Sequence, residues 1–414
     1  MTTHVRTIII GAGQAGLALS RELTEAGQDH VVLERGRPAE RWRSERWDSF
    51  RLLSPSWLTR LPHYRYTGPD PDGFMTGAEV VDFFDGYVRS FDPPLITGAE
   101  VTAVEPSTRG WEVRTAAGAR WSAENVVVAT GHYDAPSVPA AARALPRDVH
   151  QLHTSGYRNP RSLPDGAVLV VGAGPSGQQI ADELALAGRE VYLAVGHHRP
   201  LPRRYRGQDV FWWMDRLGLL TRTIDTLPDP TVTRNAPSVV LSGGTHDLDL
   251  RRLVADGVVP AGRLVAAEHG WVTFADDLPD RLAEADHNVR RLRAAVDDHV
   301  GRTGTVAPPP EDGEPAPAPW AGAAPRRLHL GRAGVRTVVW ATGHRRDLSW
   351  LRAPVLDGDG EPVHRRGVTP APGLYLLGLR WMYRRNSSFI DGVGADARYL
   401  AERLVPARSA VPVG

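Results

Sequence analysis

The sequence predicts an α/β protein of two doubly wound units, one inserted into the other. Three observations predict it. A β-branched strand runs into a glycine-rich turn and a helical pattern at the start of the chain. The same series returns at Val168, and two matching strand-and-turn segments accompany the pair. A strand, glycine turn, helix and strand in this order form a βαβ unit, and two such units imply two Rossmann-like dinucleotide-binding domains.

The first unit begins with the apolar run Thr7–Ile10 and the turn Gly11-Ala-Gly-Gln-Ala-Gly16. Leu17, Leu19 and Leu23 carry the helix, Gly27 ends it, and Val31–Leu33 reads as the next strand. The second unit repeats this with Val168–Val171, Gly172-Ala-Gly-Pro-Ser-Gly177, a helix near Ile180–Ala187, Gly188 and a strand at Val191–Val195. Within each turn the first glycine permits the tight bend and the second lets backbone approach a diphosphate. The third allows close helix–strand packing. The helix N-terminus beyond it offers free N–H groups and a positive dipole end. Gly11, Gly13, Gln14, Ala15 and Gly16 are therefore candidate binding residues, as are Gly172, Gly174, Pro175, Ser176 and Gly177.

Two segments, Asn-Val-Val-Val-Ala-Thr-Gly at 125–131 and Thr-Val-Val-Trp-Ala-Thr-Gly at 337–343, read as buried strands ending in small-residue turns. Thr130, Gly131, Thr342 and Gly343 thus stand where backbone can approach a ligand or a crossing segment. The stretch 301–325 is dense in proline, glycine and alanine and reads as a loop. The expected division is a discontinuous FAD domain, 1–155 with 325–414, and an NADPH domain at 156–324.

That assignment of nucleotides comes from the ends of the second strands. Gly11 to Glu34 and Gly172 to Val195 are the same distance apart in sequence. Glu34, followed by Arg35, is suited to accept hydrogen bonds from a ribose diol and would repel a 2′-phosphate, so the first site wants FAD or NAD. Val195 is neutral and is followed by His197, His198, Arg199, Arg203 and Arg204. Guanidiniums there fit a 2′-phosphate, so the second site prefers NADPH.

Composition excludes several chemistries. The 414 residues contain no cysteine, which removes a redox disulfide, an iron–sulfur cluster and a thiol nucleophile. They contain no lysine either, which removes Schiff-base chemistry and a Walker-type phosphate loop. A net charge of +1 gives no field for nucleic acid. No apolar run is long enough for a membrane span, and Met1–Arg6 lacks a signal-peptide layout, so a cytoplasmic protein with no membrane partner is expected. His197-His198 lacks a third ligand at metal spacing, and no metal is expected. Val210-Phe-Trp-Trp-Met214 is read as core, with a substrate mouth or a homodimer contact as its other uses. Asp247–Leu253 and Leu282–Val296 read as amphipathic helices, and 371–404 as a strand, a loop and a final helix from about Gly394.

With both turns placed, the chain resembles the flavin-containing monooxygenases and the plant YUCCA-type enzymes, and within them bacterial FAD- and NADPH-dependent oxidoreductases. The likeness is carried by Gly11–Gly16 with Glu34, by Trp42–Pro62, by Gly172–Gly177 with the two Ala-Thr-Gly turns, and by the tail from Leu376 to Ala397. It implies that Trp42, Arg43 and Trp47 neighbour the flavin. It also implies that the NADPH-reduced flavin forms a hydroperoxide with dioxygen and delivers one oxygen atom to a small-molecule substrate, at a nitrogen or sulfur centre. Carbon oxygenation, Baeyer–Villiger insertion and a reductase or dehydrogenase without oxygen insertion are its alternatives. Two departures stand out. Before the second turn only His153, Tyr157 and Arg158 survive of the family's paired element, with Arg147 and Val149 where phenylalanine and glycine are usual. Ser56, or Ser54, replaces an asparagine that relatives carry near the flavin's reactive edge.

Overall fold

The computed structural model describes residues 2–233, 238–310 and 318–405. It contains two main sheets, each opened by one of the glycine units; the second is all parallel, and the first is parallel except for the antiparallel strands Gly110–Thr115 and Val101–Ser107. In the first, strand β1 (Thr2–Ile10) feeds helix α1 (Gln14–Glu25) and returns as strand β2 (His30–Leu33). The strand β1 is longer than its apolar stretch because Thr2–Val5 pair with Arg120–Ala123 of the neighbouring strand. The sheet order is Leu95–Ile96, β2, β1, Arg120–Val128, Gly110–Thr115 and Val101–Ser107, with Leu374–Leu376 from the tail joining Arg120–Val128 in parallel. Ile8, Ile9, Val126 and Val127 are fully buried, as strands covered on both faces must be.

The second unit repeats this arrangement with strand β3 (Ala167–Val171), helix α2 (Pro175–Leu186) and strand β4 (Val191–Ala194). Its five-stranded parallel sheet runs His150–His153, Val335–Trp340, β3, β4 and Val259–Ala261. The expected boundary at 155 and 325 is therefore corrected. Both His150–His153 and Val335–Trp340 belong to the inserted unit, because each is needed to complete its sheet. The two chain crossings are short strands, Ala135–Pro136 and His344–Arg345, which pair antiparallel with each other. The first unit thus ends near 134 and resumes near 346.

Outside the sheet the inserted unit carries helix α3 (Val210–Arg216) and the long helix α4 (Leu278–Thr303). The expected helix at 282–296 is extended at both ends and stops at Gly304 (φ +64°), so the first residues of the expected loop 301–325 are helical. Residues 311–317 of that loop lie outside the described residues. A helix at Leu250–Ala255 starts where Asp249 caps the Arg252 N–H at 2.9 Å. The last described helix is α5 (Val393–Leu404), which packs on α1. Among the described residues no helix is long and apolar enough to cross a membrane.

Candidate functional site

The equivalence of the two nucleotide units is structural as well as sequential. Ile10 is registered with Leu33 in the first, and Val171 with Ala194 in the second. Gly11 N–H donates to Leu33 O at 2.8 Å and Gly172 N–H to Ala194 O at 2.9 Å. Glu34 and Val195 therefore occupy the same place, one residue past the paired strand end.

Close packing explains why the glycine turns and the Ala-Thr-Gly turns recur together. Gly11 has φ +105°, and a Cβ on it would lie 2.9 Å from Ala129 O. Gly172 has φ +108°, and its Cβ would lie 2.5 Å from Ala341 O. Each first glycine is thus pressed against the turn that ends the adjacent strand. The third glycines fill the space beneath: a Cβ on Gly16 would sit 1.9 Å from Gly11 O, and one on Gly177 1.8 Å from Gly172 O. The middle glycines, Gly13 and Gly174, face open space and cap their helices without side-chain help. Both helix N-termini therefore present unspent N–H groups beside room for a diphosphate.

Glu34 is almost fully buried. Its Oε2 accepts the Ala12 N–H at 2.7 Å and its Oε1 accepts the Gly36 N–H at 2.8 Å. A carboxylate has about four acceptor sites, so two remain for a ribose diol. Val195 is buried among the apolar residues of the second core and offers no such group.

One cavity of about 1430 Å³ joins both turns. From the expected residues it is lined by Gly11, Gly13, Gln14, Ala15, Glu34, Arg35, Trp42, Trp47, Thr130 and Gly131 on one side. Gly172, Gly174, Pro175, Ser176, Arg199, Thr342 and Gly343 line the other. Gln14 is held by donating to Ser388 O of the tail at 2.8 Å. Trp42 packs between Phe50 and Phe84, with the Arg46 guanidinium 4.8 Å above its ring.

Four expected residues are placed elsewhere. Arg43 turns outward into an ion pair with Asp85. Ser56 is buried, and its Oγ donates to Gly73 O at 2.9 Å, so of the two serines only Ser54 lines the cavity. Arg203 is a buried structural residue: Nη2 donates to Asp209 Oδ1 at 2.6 Å, Nη1 to Leu53 O at 2.8 Å, and the guanidinium lies 4.6 Å from the Phe74 ring. Arg204 is exposed on the hairpin beside it and donates to Gly207 O. The Val210–Met214 segment packs within the chain, with Trp213 fully buried and Phe211 and Met214 on the cavity wall. It is core and cavity lining. His153 and Tyr157 are structural: His153 Nε2 contacts Gly343 O at 2.9 Å, and the Tyr157 hydroxyl donates to Glu183 Oε2 at 2.8 Å.

The sequence does not single out Arg222 or Arg291; its tail loop Arg384–Ser388 is open to a polar contact with substrate, and Arg385 of that loop joins Arg222, Arg291 and Arg199 at the cavity wall. Burial, together with the neighbouring Arg199 and Arg222 charges, pushes the Arg385 guanidinium down to about 10. His132 and His344, each one or two residues past a strand-end turn, also line the cavity. Burial and the Arg380 and Arg346 charges push His132 down to about 3; burial, His153 and two arginines push His344 down to about 4. Both are neutral imidazoles near pH 7. Among the described residues no group of three or more His, Asp or Glu is placed to hold a metal ion.

Two linked glycine-turn domains opening into one cavity define a flavoprotein of the two-dinucleotide class. A family described as pyridine nucleotide-disulphide oxidoreductase matches residues 8–207. With no cysteine in the chain, the disulphide chemistry in that description has no thiol here. An oxidoreductase named CzcO-like, from Geobacillus kaustophilus (strain HTA426), is 34% identical over 405 residues, covering 97% of this chain and 98% of the relative. Indole-3-pyruvate monooxygenase YUCCA1 of Oryza sativa subsp. japonica is 29% identical over 255 residues, 59% of this chain and 60% of its own. A solved flavin-containing monooxygenase from Stenotrophomonas maltophilia shares the fold at TM-score 0.67 and 19% identity, across 97% of this chain and 98% of that one. The chain belongs to the family of CzcO-like oxidoreductases. It is an oxidoreductase with two dinucleotide-binding turns.

Proposed function

We propose that the enzyme consumes NADPH and transfers one atom of dioxygen to a small-molecule substrate at a nitrogen or sulfur centre. The observation that supports this most directly is the continuity of the cavity between the two glycine turns. Hydride must pass from the nicotinamide site to the flavin site, and only a shared space permits it. Bound FAD supplies the hydride acceptor and the oxygen-activating centre; the chain binds, orients and shields.

In this reading the α1 N-terminus with Gly13 and Gln14 holds the FAD diphosphate, and Glu34 holds its ribose. Arg35, Trp42, Trp47, Thr130 and Gly131 complete that side. The α2 N-terminus with Gly174, Pro175 and Ser176 holds the NADPH diphosphate, with Thr342 and Gly343 beside it. Arg199, on the strand segment Arg199–Pro200, takes the 2′-phosphate. Phe211, Met214 and Leu220 keep the substrate end of the cavity apolar and exclude water.

The cavity's chemistry supports this choice of acceptor atom. A nitrogen or sulfur lone pair needs no proton removed before it takes oxygen, so no free base is required. Of the lining carboxylates, Glu34, Asp134, Glu284 and Asp391 are engaged by backbone N–H groups, arginine or histidine. Transfer to a carbon centre is the second reading, supported by the name of the YUCCA1 relative.

The test is product stoichiometry. With thioanisole, N,N-dimethylaniline and cyclohexanone offered separately, NADPH oxidation should yield one oxygenated product per NADPH for the sulfide or the amine. Oxygenation of the ketone alone would transfer the assignment to carbon. Hydrogen peroxide as the only product with every substrate would refute oxygen transfer and leave a reductase.

A further inference from the structure

Two partly buried arginines, Arg199 and Arg385, stand together on the cavity wall. Arg199 belongs to the inserted unit, just past the strand end at Val195, where Gly196 and His197 also line the cavity. Arg385 belongs to the tail of the first unit. Each has a further guanidinium near it at the exposed rim: Arg222 beside Arg385, and Arg291 of α4 beside Arg199. Among the described residues, no hydrogen bond or ion pair engages the side chains of these four arginines, and Arg199 Nε is buried without a partner. The acids nearby are committed, Asp391 to Arg60 and Asn386, and Glu284 to His197 and Arg281.

The backbone fixes the approach of Arg385 across the seam between the units. Arg385 N–H donates to Arg222 O at 3.0 Å, Asn386 N–H to Leu220 O at 3.1 Å, and Ile224 N–H to Tyr383 O at 2.8 Å. Ser387 Oγ accepts the Tyr383 and Arg384 N–H groups from within the loop, so this clasp is braced on the tail side as well. Helix α4 presents one face to the same cavity: Glu284, Asn288, Arg291 and Ala295 line it at helical spacing.

Partly buried like charges without a counter-charge are costly, and an anion that completes them recovers the cost. Several guanidiniums call for an anion with more than one charge and several acceptor oxygens. In NADPH the 2′-phosphate is the only monoester, with a charge of about −1.5 to −2 and three strong acceptor oxygens.

We propose that Arg385 determines cofactor specificity: it reaches from the first unit to the 2′-phosphate that Arg199 takes, so that one dianion is gripped from both units, with Arg222 and Arg291 at the rim. The proposal rests on the placement of the 2′-phosphate at Arg199 and adds to it a ligand from the other unit. Selection of NADPH over NADH then depends on how the tail seats on the inserted unit, and not on the strand end alone.

The test compares 2′,5′-ADP with 5′-AMP, adenosine probes that differ by the 2′-phosphate. Calorimetry on the oxidised FAD-loaded enzyme reads their dissociation constants with no turnover. The unaltered enzyme should prefer 2′,5′-ADP by about 100-fold or more, as several charge-assisted contacts require. R385M should cut that preference about 10-fold or more and leave 5′-AMP binding within about twofold, while R385K keeps most of the preference. Removing a partly buried cation that has no counter-charge relieves the chain, so R385M should fold at least as well as the unaltered protein. R385Q gives the same reading if the thioether disturbs the loop. A preference held within about twofold in R385M would overturn the proposal. So would an equal loss for both probes, which would put Arg385 at a different phosphate. R199Q in the same assay separates the two levels. If R199Q loses the preference and R385M does not, only the contribution of the tail falls; if neither loses it, the placement of the 2′-phosphate falls with it.

Discussion

Replacing Glu34 by glutamine separates the two tasks this carboxylate performs. Each of its oxygens accepts one backbone N–H, from Ala12 at 2.7 Å and Gly36 at 2.8 Å. A glutamine side chain keeps one acceptor oxygen and turns an NH₂ toward the other donor. One buried N–H then loses its partner, costing about 1–3 kcal/mol of folding stability. The amide also carries no charge for the ribose diol. Losing a charge-assisted bond of about 1.5–3 kcal/mol raises the FAD dissociation constant roughly 10- to 100-fold. Flavin fluorescence titration of the apoenzyme reads the second effect, and urea denaturation of the apoenzyme reads the first. An E34Q apoenzyme that is less stable yet binds FAD within about threefold of the original would falsify the ribose role while leaving the turn-bracing role intact.

Other expectations follow from the same geometry. R199Q should raise the Michaelis constant for NADPH roughly 10-fold or more and leave that for NADH unchanged, as loss of a phosphate contact requires; equal changes for both cofactors refute it. R203Q should behave differently, costing about 3–5 kcal/mol of stability by stranding Asp209, with the NADPH-to-NADH preference of the surviving enzyme intact; a changed preference in a stable R203Q protein would restore Arg203 to the cofactor site. G177A places a methyl group against Gly172 O, so NADP⁺ binding should be lost while FAD content stays near one per chain; normal NADP⁺ affinity would show that the helix can shift. His132 and His344 are held neutral, near 3 and 4, below the ordinary 6.5. Between those values an unfolded histidine is protonated and a folded one is not. Their contribution is therefore fully present above pH 6.5 and is lost as pH falls toward 4. Urea midpoints should drop from pH 7.5 to pH 5, and the drop should shrink in H132Q; an unchanged drop would mean that other groups control acid stability.

The sequence by itself determined the repeated framework. Glycine turns between β-branched strands and helical patterns have few conformations open to them, because each glycine answers a local steric need. The equal spacing from Gly11 to Glu34 and from Gly172 to Val195 carried over into equal strand registers. That is why the acid and its neutral counterpart could be matched before any coordinates. The pairing of the Ala-Thr-Gly turns with the glycine turns was visible as a repeat, although its cause, contact of each turn with a first glycine, was not.

Tertiary structure decided what depends on long-range neighbours. Arg199, Arg203 and Arg204 are equivalent as sequence, yet one lines the cavity, one is locked to Asp209, and one faces solvent. Ser56, at the start of the 3₁₀ turn Ser56–Leu58, is held by Gly73 O, while Ser54 before the turn lines the cavity. The strand at Val335–Trp340 joined the inserted unit because its hydrogen-bond partners lie there, and a run of valines carries no label for its sheet. Arg222 and Arg385 are brought to one wall by a clasp between distant segments. Local pattern fixes backbone conformation; which side chains share a space is set by the packing of elements far apart in the chain.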